Sequence, residues 1–160
     1  MAKLQSSVSN GEPDPGMAFG FDILGWYDPK EKPRKTLRTN IYIEAFGSRI
    51  VRPPKTGYLV TFDDAKILAD WLDQYLGRTG DALRPFRTLE PVFELQLTPV
   101  SSTTSEVFAR LLAYGTVPNY FDEGTGPALY FESRNEKIVE FRSNILEEIG
   151  RVLSRDDSGR

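Results

Sequence analysis

Apolar and polar residues alternate along several stretches of this chain with the two-residue period of half-buried strands, and twice they shift to the period of a helix. Phe19-Gly-Phe-Asp-Ile-Leu-Gly-Trp26 reads as a first strand, broken by YDPKEKPRKT. In LRTNIYIEAF, residues 37–46, Asn40, Tyr42 and Glu44 fall on one side and Ile41, Ile43 and Ala45 on the other. A short strand follows over Gly57–Phe62 after Gly47 and the pair Pro53-Pro54. Later, Val92–Thr98 places Phe93, Leu95 and Leu97 inward, and Ala128–Glu132 reads as a strand. SSTTSEVFARLLAYG, residues 101–115, fits either a helix capped by Thr103 and Glu106 or a strand returning beside Phe93–Leu97; the near-continuous apolar run favours the strand.

The first helix begins after Thr61, whose spacing to Asp64 is that of a capping box, and carries Leu68, Trp71, Leu72, Tyr75 and Leu76 on one face up to a left-handed cap expected at Gly77. The second is expected to start with Ser133 and Glu136 and to bury Ile138, Phe141, Ile145, Ile149 and Val152. Strands followed by a helix, twice, predict an α+β domain. Its antiparallel sheet of five to six strands would be covered by two amphipathic helices, with a cadence open to reading as two ββα units. Residues 1–17, rich in Ser, Asn, Gly, Pro and Asp, are expected to be a flexible tail, 18–153 one α+β domain, and 154–160 a fraying end.

Composition adds an exclusion. The 160 residues include no His and no Cys, which removes imidazole-dependent triads, the usual zinc sites, disulfides and redox pairs. No catalytic residue, metal ligand or cofactor is assigned, and an enzyme is the less favoured class. The polar beginning and the lack of a long apolar run suggest a cytoplasmic protein that does not enter membranes.

Charge is unevenly distributed. Residues 30–61 hold eight basic side chains against two acidic ones, whereas 62–160 hold eleven basic against seventeen acidic. Arg34, Lys35 and Arg38 are therefore candidate anion-binding residues, with solubilisation of a long loop as the alternative. A sequence pI near 5.1 argues against direct nucleic-acid binding.

Two sets of residues compete as the functional site. Tyr120, Phe121, Asp122 and Glu123 combine aromatic contact area with negative charge, and form a candidate partner-binding loop; an ordinary hairpin whose rings turn inward is the alternative. Glu90, Glu94, Asp122, Glu123 and Glu132 are the candidates for a carboxylate enzyme or small-molecule site, with or without Mg²⁺, if two of them stand about 5–9 Å apart. Gly124-Thr-Gly126 lacks the further glycines, lysine and helix start of a phosphate loop.

The run Asn40-Ile41-Tyr42-Ile43, the sequence Val60-Thr61-Phe62-Asp63-Asp64 leading to Leu68, Trp71 and Leu72, and Leu89-Glu90-Pro91 before Phe93–Leu97 together resemble the small bacterial immunity proteins of the WapI type. The strand at Leu129–Phe131 and the closing helix with Phe141 and Leu146 extend the resemblance over residues 37–153. Ile41-Tyr42 stands where that family tends to carry Trp-Leu, and the proline-containing stretch 49–57 looks inserted. The resemblance implies a non-enzymatic protein that binds a toxin domain, commonly a basic nuclease. Phage- or defence-associated nucleotide binding through the basic segment is a further alternative.

Overall fold

The computed structural model describes residues 1–7, 16–28, 30, 35–51, 60–78, 83–89, 92–112 and 126–157. The chain is α+β, with two antiparallel sheets and two helices. The first sheet contains β1 (Lys3–Gln5), β2 (Ala18–Trp26), β3 (Thr36–Ala45) and β4 (Ser48–Val51) in that order, and β5 (Val60–Thr61) pairs with the start of β3. Helix α1 (Phe62–Leu76) follows. The second sheet, β6 (Phe86–Arg87), β7 (Phe93–Pro99), β8 (Thr104–Leu111) and β9 (Ala128–Arg134), is a simple meander closed by α2 (Asn135–Asp157). Strands then helix thus recurs, but each unit has its own sheet rather than two strands of a shared one.

One core cluster joins both sheets and both helices. Phe19 and Phe21 on β2 meet Phe93 on β7 with ring centroids 5.1 and 5.6 Å apart, and Phe19 meets Phe141 on α2 edge-on at 6.0 Å. Such tilted and edge-on pairs add to the transfer free energy of burying the rings. Most of the predicted inward rows are buried: Ile41 and Ile43, Leu68, Leu72 and Tyr75, Phe93, Leu95 and Leu97, and the α2 stripe from Ile138 to Val152, whereas Ala45, Trp71 and Leu76 are half-buried. Residues 104–111 form a strand, as the apolar run favoured.

Several local expectations give way. The opening residues are no tail, because Lys3–Gln5 pairs with Gly20–Ala18 and both Ala2 and Leu4 are fully buried. Gly77 caps α1 in the right-handed region (φ −80°), its amide donating to Asp73 O at 2.9 Å, so no left-handed turn is needed. Ser133 does not cap α2. It lies in β9 with its hydroxyl donating to Gln5 O at 2.7 Å, and the helix begins two residues later. The helix also continues through Asp157, past the fraying expected from 154. At the start of α1, by contrast, Thr61 and Asp64 form the reciprocal capping box.

Candidate functional site

Tyr120, Phe121, Asp122, Glu123 and Arg34 lie outside the described residues, as do Glu90 and the Gly124-Thr-Gly126 loop apart from Gly126. Of the basic trio, Lys35 and Arg38 are exposed, Lys35 just before β3 and Arg38 opposite Gly25 within it. Of the carboxylates, Glu94 is buried on β7 between Arg87 (2.5 Å) and Arg110 (3.5 Å), and Glu132 faces Glu106 across the β8–β9 ladder. Glu94 sits opposite Arg110, which sits opposite Ala128, four residues from Glu132. Two strand spacings across and four residues along put their Cα atoms about 16 Å apart, and Glu94 is already engaged by two arginines, so the two do not make an acid–base pair. Among the described residues, no three His, Cys, Asp or Glu side chains gather to hold a metal ion.

A different feature stands out at the end of β3. Ala45 pairs with Ser48, so Phe46-Gly47 is a two-residue turn, and both residues have positive φ (51° and 75°). That is the backbone sign of a type I′ hairpin, whose first position ordinarily belongs to Asn, Asp or Gly. A phenylalanine there costs about 1 kcal/mol or more in backbone strain. Phe46 is 79% exposed, so burial does not offset the cost. β4 continues the theme with all four residues exposed, Ile50 at 50% and Val51 at 44%.

The base of the hairpin is stiff. Tyr42 on β3 lies over Gly20 on β2, where a Cβ would fall 2.0 Å from the ring's Cζ, and the Arg49 guanidinium stands 4.1 Å above the ring centroid. Enclosed between backbone and cation, Tyr42 is fully buried although it belongs to the row of polar residues on β3. Arg49 also donates to Glu44 at 3.0 and 2.7 Å, and Lys3 donates to Glu44 at 3.2 Å. The Arg49 hydrogen bonds hold the Glu44 carboxyl below the ordinary carboxylate range. Burial, then the nearby Asp22 charge, pushes the Tyr42 phenol up, and its hydroxyl finds no partner among the described residues.

Next to this ring, two buried carboxylates tie α2 to the first sheet. Asp22 accepts from the Ala2 amide at 3.1 Å and from Asn40 Nδ2 at 3.5 Å. Glu148 accepts from the Ile23 amide at 2.7 Å and forms a close ion pair with the Met1 amino group. Burial and then Glu148 raise the Asp22 pKa. Every one of these oxygens is engaged within the fold, which marks the cluster as structural.

A cleft of about 500 Å³ opens between the end of α1, the β7–β8 turn and the start of α2, with Arg78, Val100, Ser102 and Asn135 on its wall. Asn135 is committed to the fold on every polar atom, accepting from Ser105 Oγ at 2.6 Å and donating to Ser102 O (3.2 Å) and Thr103 O (2.8 Å). Asn135 is therefore held by the fold rather than set out to orient a ligand.

The hairpin leaves little trace in the sequence, because its turn is signalled only by Gly47 and its tip residue is one that two-residue hairpins avoid. No protein-family model matches this sequence, and no curated protein matches it. Among the described residues, no helix is long and apolar enough to cross a membrane.

Proposed function

We propose that this chain is a protein-binding module that acts by covering a partner's surface, in the manner of an immunity protein neutralising a toxin domain. The observation that carries the reading is Phe46, an exposed aromatic held at a strained position on a hairpin braced by the Gly20–Tyr42–Arg49 stack. Strain retained without compensating burial is characteristic of sites kept for binding, and a rigid aromatic loses little entropy on contact. Ile50 and Val51 are also exposed, on opposite faces of β4.

The acidic balance of residues 62–160 suits a basic partner such as a nuclease domain, with charge raising the association rate. A carboxylate enzyme is the weaker reading, given about 16 Å between the Cα atoms of Glu94 and Glu132 and the engagement of Glu94 by two arginines. The test is affinity capture from the native host followed by calorimetry on the recovered partner. Phe46→Ala is expected to weaken binding at least tenfold with no loss of melting temperature. Equal affinity of the variant and the parent chain would refute the reading.

A further inference from the structure

We propose that the cleft between the end of α1, the β7–β8 turn and the start of α2 binds a small organic monocarboxylate, with Arg78 receiving the carboxylate and Leu76 and Val100 the apolar body. The site is separate from the hairpin and does not depend on its role. Its volume of about 500 Å³ is within the range of small-molecule pockets. Three elements form the walls, and one buried relay fixes them. The Tyr75 hydroxyl of α1 donates to Ser105 Oγ on β8 at 2.6 Å, and Ser105 donates to Asn135 of α2 at 2.6 Å. Asn135 in turn holds the β7–β8 turn by donating to Ser102 O and Thr103 O, while Ser101 Oγ accepts from the Thr103 and Thr104 amides at 3.2 and 3.1 Å. A cleft whose walls are set before a ligand arrives loses little ordering entropy on binding.

Charge selects the ligand. Arg78, exposed at the end of α1, is the one charged side chain among the described residues of the wall. It enters no ion pair among the described residues; Asp73 near the end of α1 and Glu136 at the start of α2 pair instead with Arg142 and Arg134. The positive end of the α2 dipole meets the cleft at Asn135, and at the negative end of α1 the carbonyls of Asp73 and Tyr75 are already taken by the Gly77 and Arg78 amides. The wall therefore favours a single negative charge. A carboxylate matches the guanidinium fork with two parallel hydrogen bonds, whereas a phosphate dianion would leave one charge unmatched. Ser102, exposed beside Arg78 in the wall, has a hydroxyl without a partner among the described residues and adds a donor for the same group. An apolar body fits the rest of the wall, where Val100 is 52% exposed and Leu76 and Pro99 are half-buried.

The test is a chemical-shift titration of the isotopically labelled full chain with phenylacetate, compared with phenylacetamide, benzylamine and inorganic phosphate. Phenylacetate is expected to give saturable shifts at the amides of Arg78, Val100, Ser102 and Asn135, and to bind about tenfold or more tightly than each of the other three. Arg78→Gln is expected to weaken phenylacetate binding by about the same factor at an unchanged melting temperature, since Arg78 is exposed. Val100→Asp sets a carboxylate at an exposed position of the wall, and is expected to abolish binding while the Tyr75, Ser105 and Asn135 resonances stay in place. Equal binding of phenylacetamide would remove the role of charge, and equal binding of phosphate the role of the apolar wall; either result overturns the proposal. So does tighter binding of benzylamine, a set of shifts confined to another surface, the lack of any saturable shift, or undiminished phenylacetate binding by Arg78→Gln.

Discussion

Replacing Gly20 with alanine tests whether the close contact between β2 and the Tyr42 ring holds the hairpin base in place. Gly20 has an ordinary strand φ, so the added methyl strains no backbone dihedral. Its Cβ, however, falls 2.0, 2.2 and 2.5 Å from three carbons of the Tyr42 ring, far inside van der Waals contact. Tyr42 is fully buried and Arg49 stands over its ring, so making room requires the ring and the partly exposed Arg49 side chain to shift together. Pushing a packed side chain aside costs about 1–3 kcal/mol. Expelling it forfeits about 4–6 kcal/mol from some 150–250 Å² of buried aromatic surface, with about 0.5–1 kcal/mol more from the cation–π contact. We expect Gly20→Ala to destabilise by about 3 kcal/mol, between these limits.

The assay is urea unfolding of the parent chain, Gly20→Ala, Tyr42→Ala and the double variant. Tyr42→Ala alone should cost about 3–5 kcal/mol. In that background the clash is gone, and Gly20→Ala should be close to neutral, or stabilising by up to about 1 kcal/mol through the unfolded chain. The coupling between the two sites is therefore expected to reach about 2 kcal/mol or more. A Gly20→Ala cost that is the same in both backgrounds, or below about 1 kcal/mol in the parent chain, would refute the reasoning.

Other perturbations separate the remaining elements. Gly150 lies on the exposed face of α2 with nothing within 4 Å of where a Cβ would stand, so Gly150→Ala should raise stability by about 0.5–1 kcal/mol, read from the unfolding midpoint. Thr61→Ala should cost about 1 kcal/mol through the lost cap. Asp64→Ala should cost about 2–3 kcal/mol, because Asp64 also accepts from the Leu89 amide at 2.9 Å; equal costs for the two would argue against that second role. The two carboxylates of the first sheet should show opposite pH dependence. Glu44, depressed in the fold, contributes stability that is present above its unfolded pKa near about 4.3 and is lost as pH falls through the lower folded value. Asp22, raised in the fold, makes stability greatest below about 3.9 and erodes it as pH climbs through the folded value, so Asp22→Asn should flatten that decline in unfolding curves taken across pH 3–7.

Long amphipathic segments were legible from residue spacing because burial of one face dictates both the period and the partner. That accounts for β2, β3, β7, β9 and the buried stripes of both helices, whereas β8 fits a helix or a strand by spacing and only its apolar run favours the strand. Apart from β5, which lies within the strand expected at Gly57–Phe62, the short strands leave no pattern in the sequence. β1, β4 and β6 are two to four residues long, too brief for alternation to show, and their pairing is imposed by the longer strands beside them. Ser133 carries the local Ser-x-x-Glu signature of a cap, yet a contact with Gln5, distant in sequence, claims its hydroxyl. Tyr42 followed the polar row correctly and was still buried, since the glycine opposite it on β2 makes room that no single-strand pattern reveals. Phe46 likewise carries no sequence signal, because its significance lies in φ and exposure rather than in residue type.

Hydrogen–deuterium exchange of the chain, alone and with its captured partner, addresses the hairpin most directly. Binding through the tip should slow exchange across residues 44–51 by an order of magnitude or more and leave the core strands β7 and β8 unchanged. Full protection of another surface with undisturbed exchange at 44–51 would contradict a binding role for Phe46 and β4.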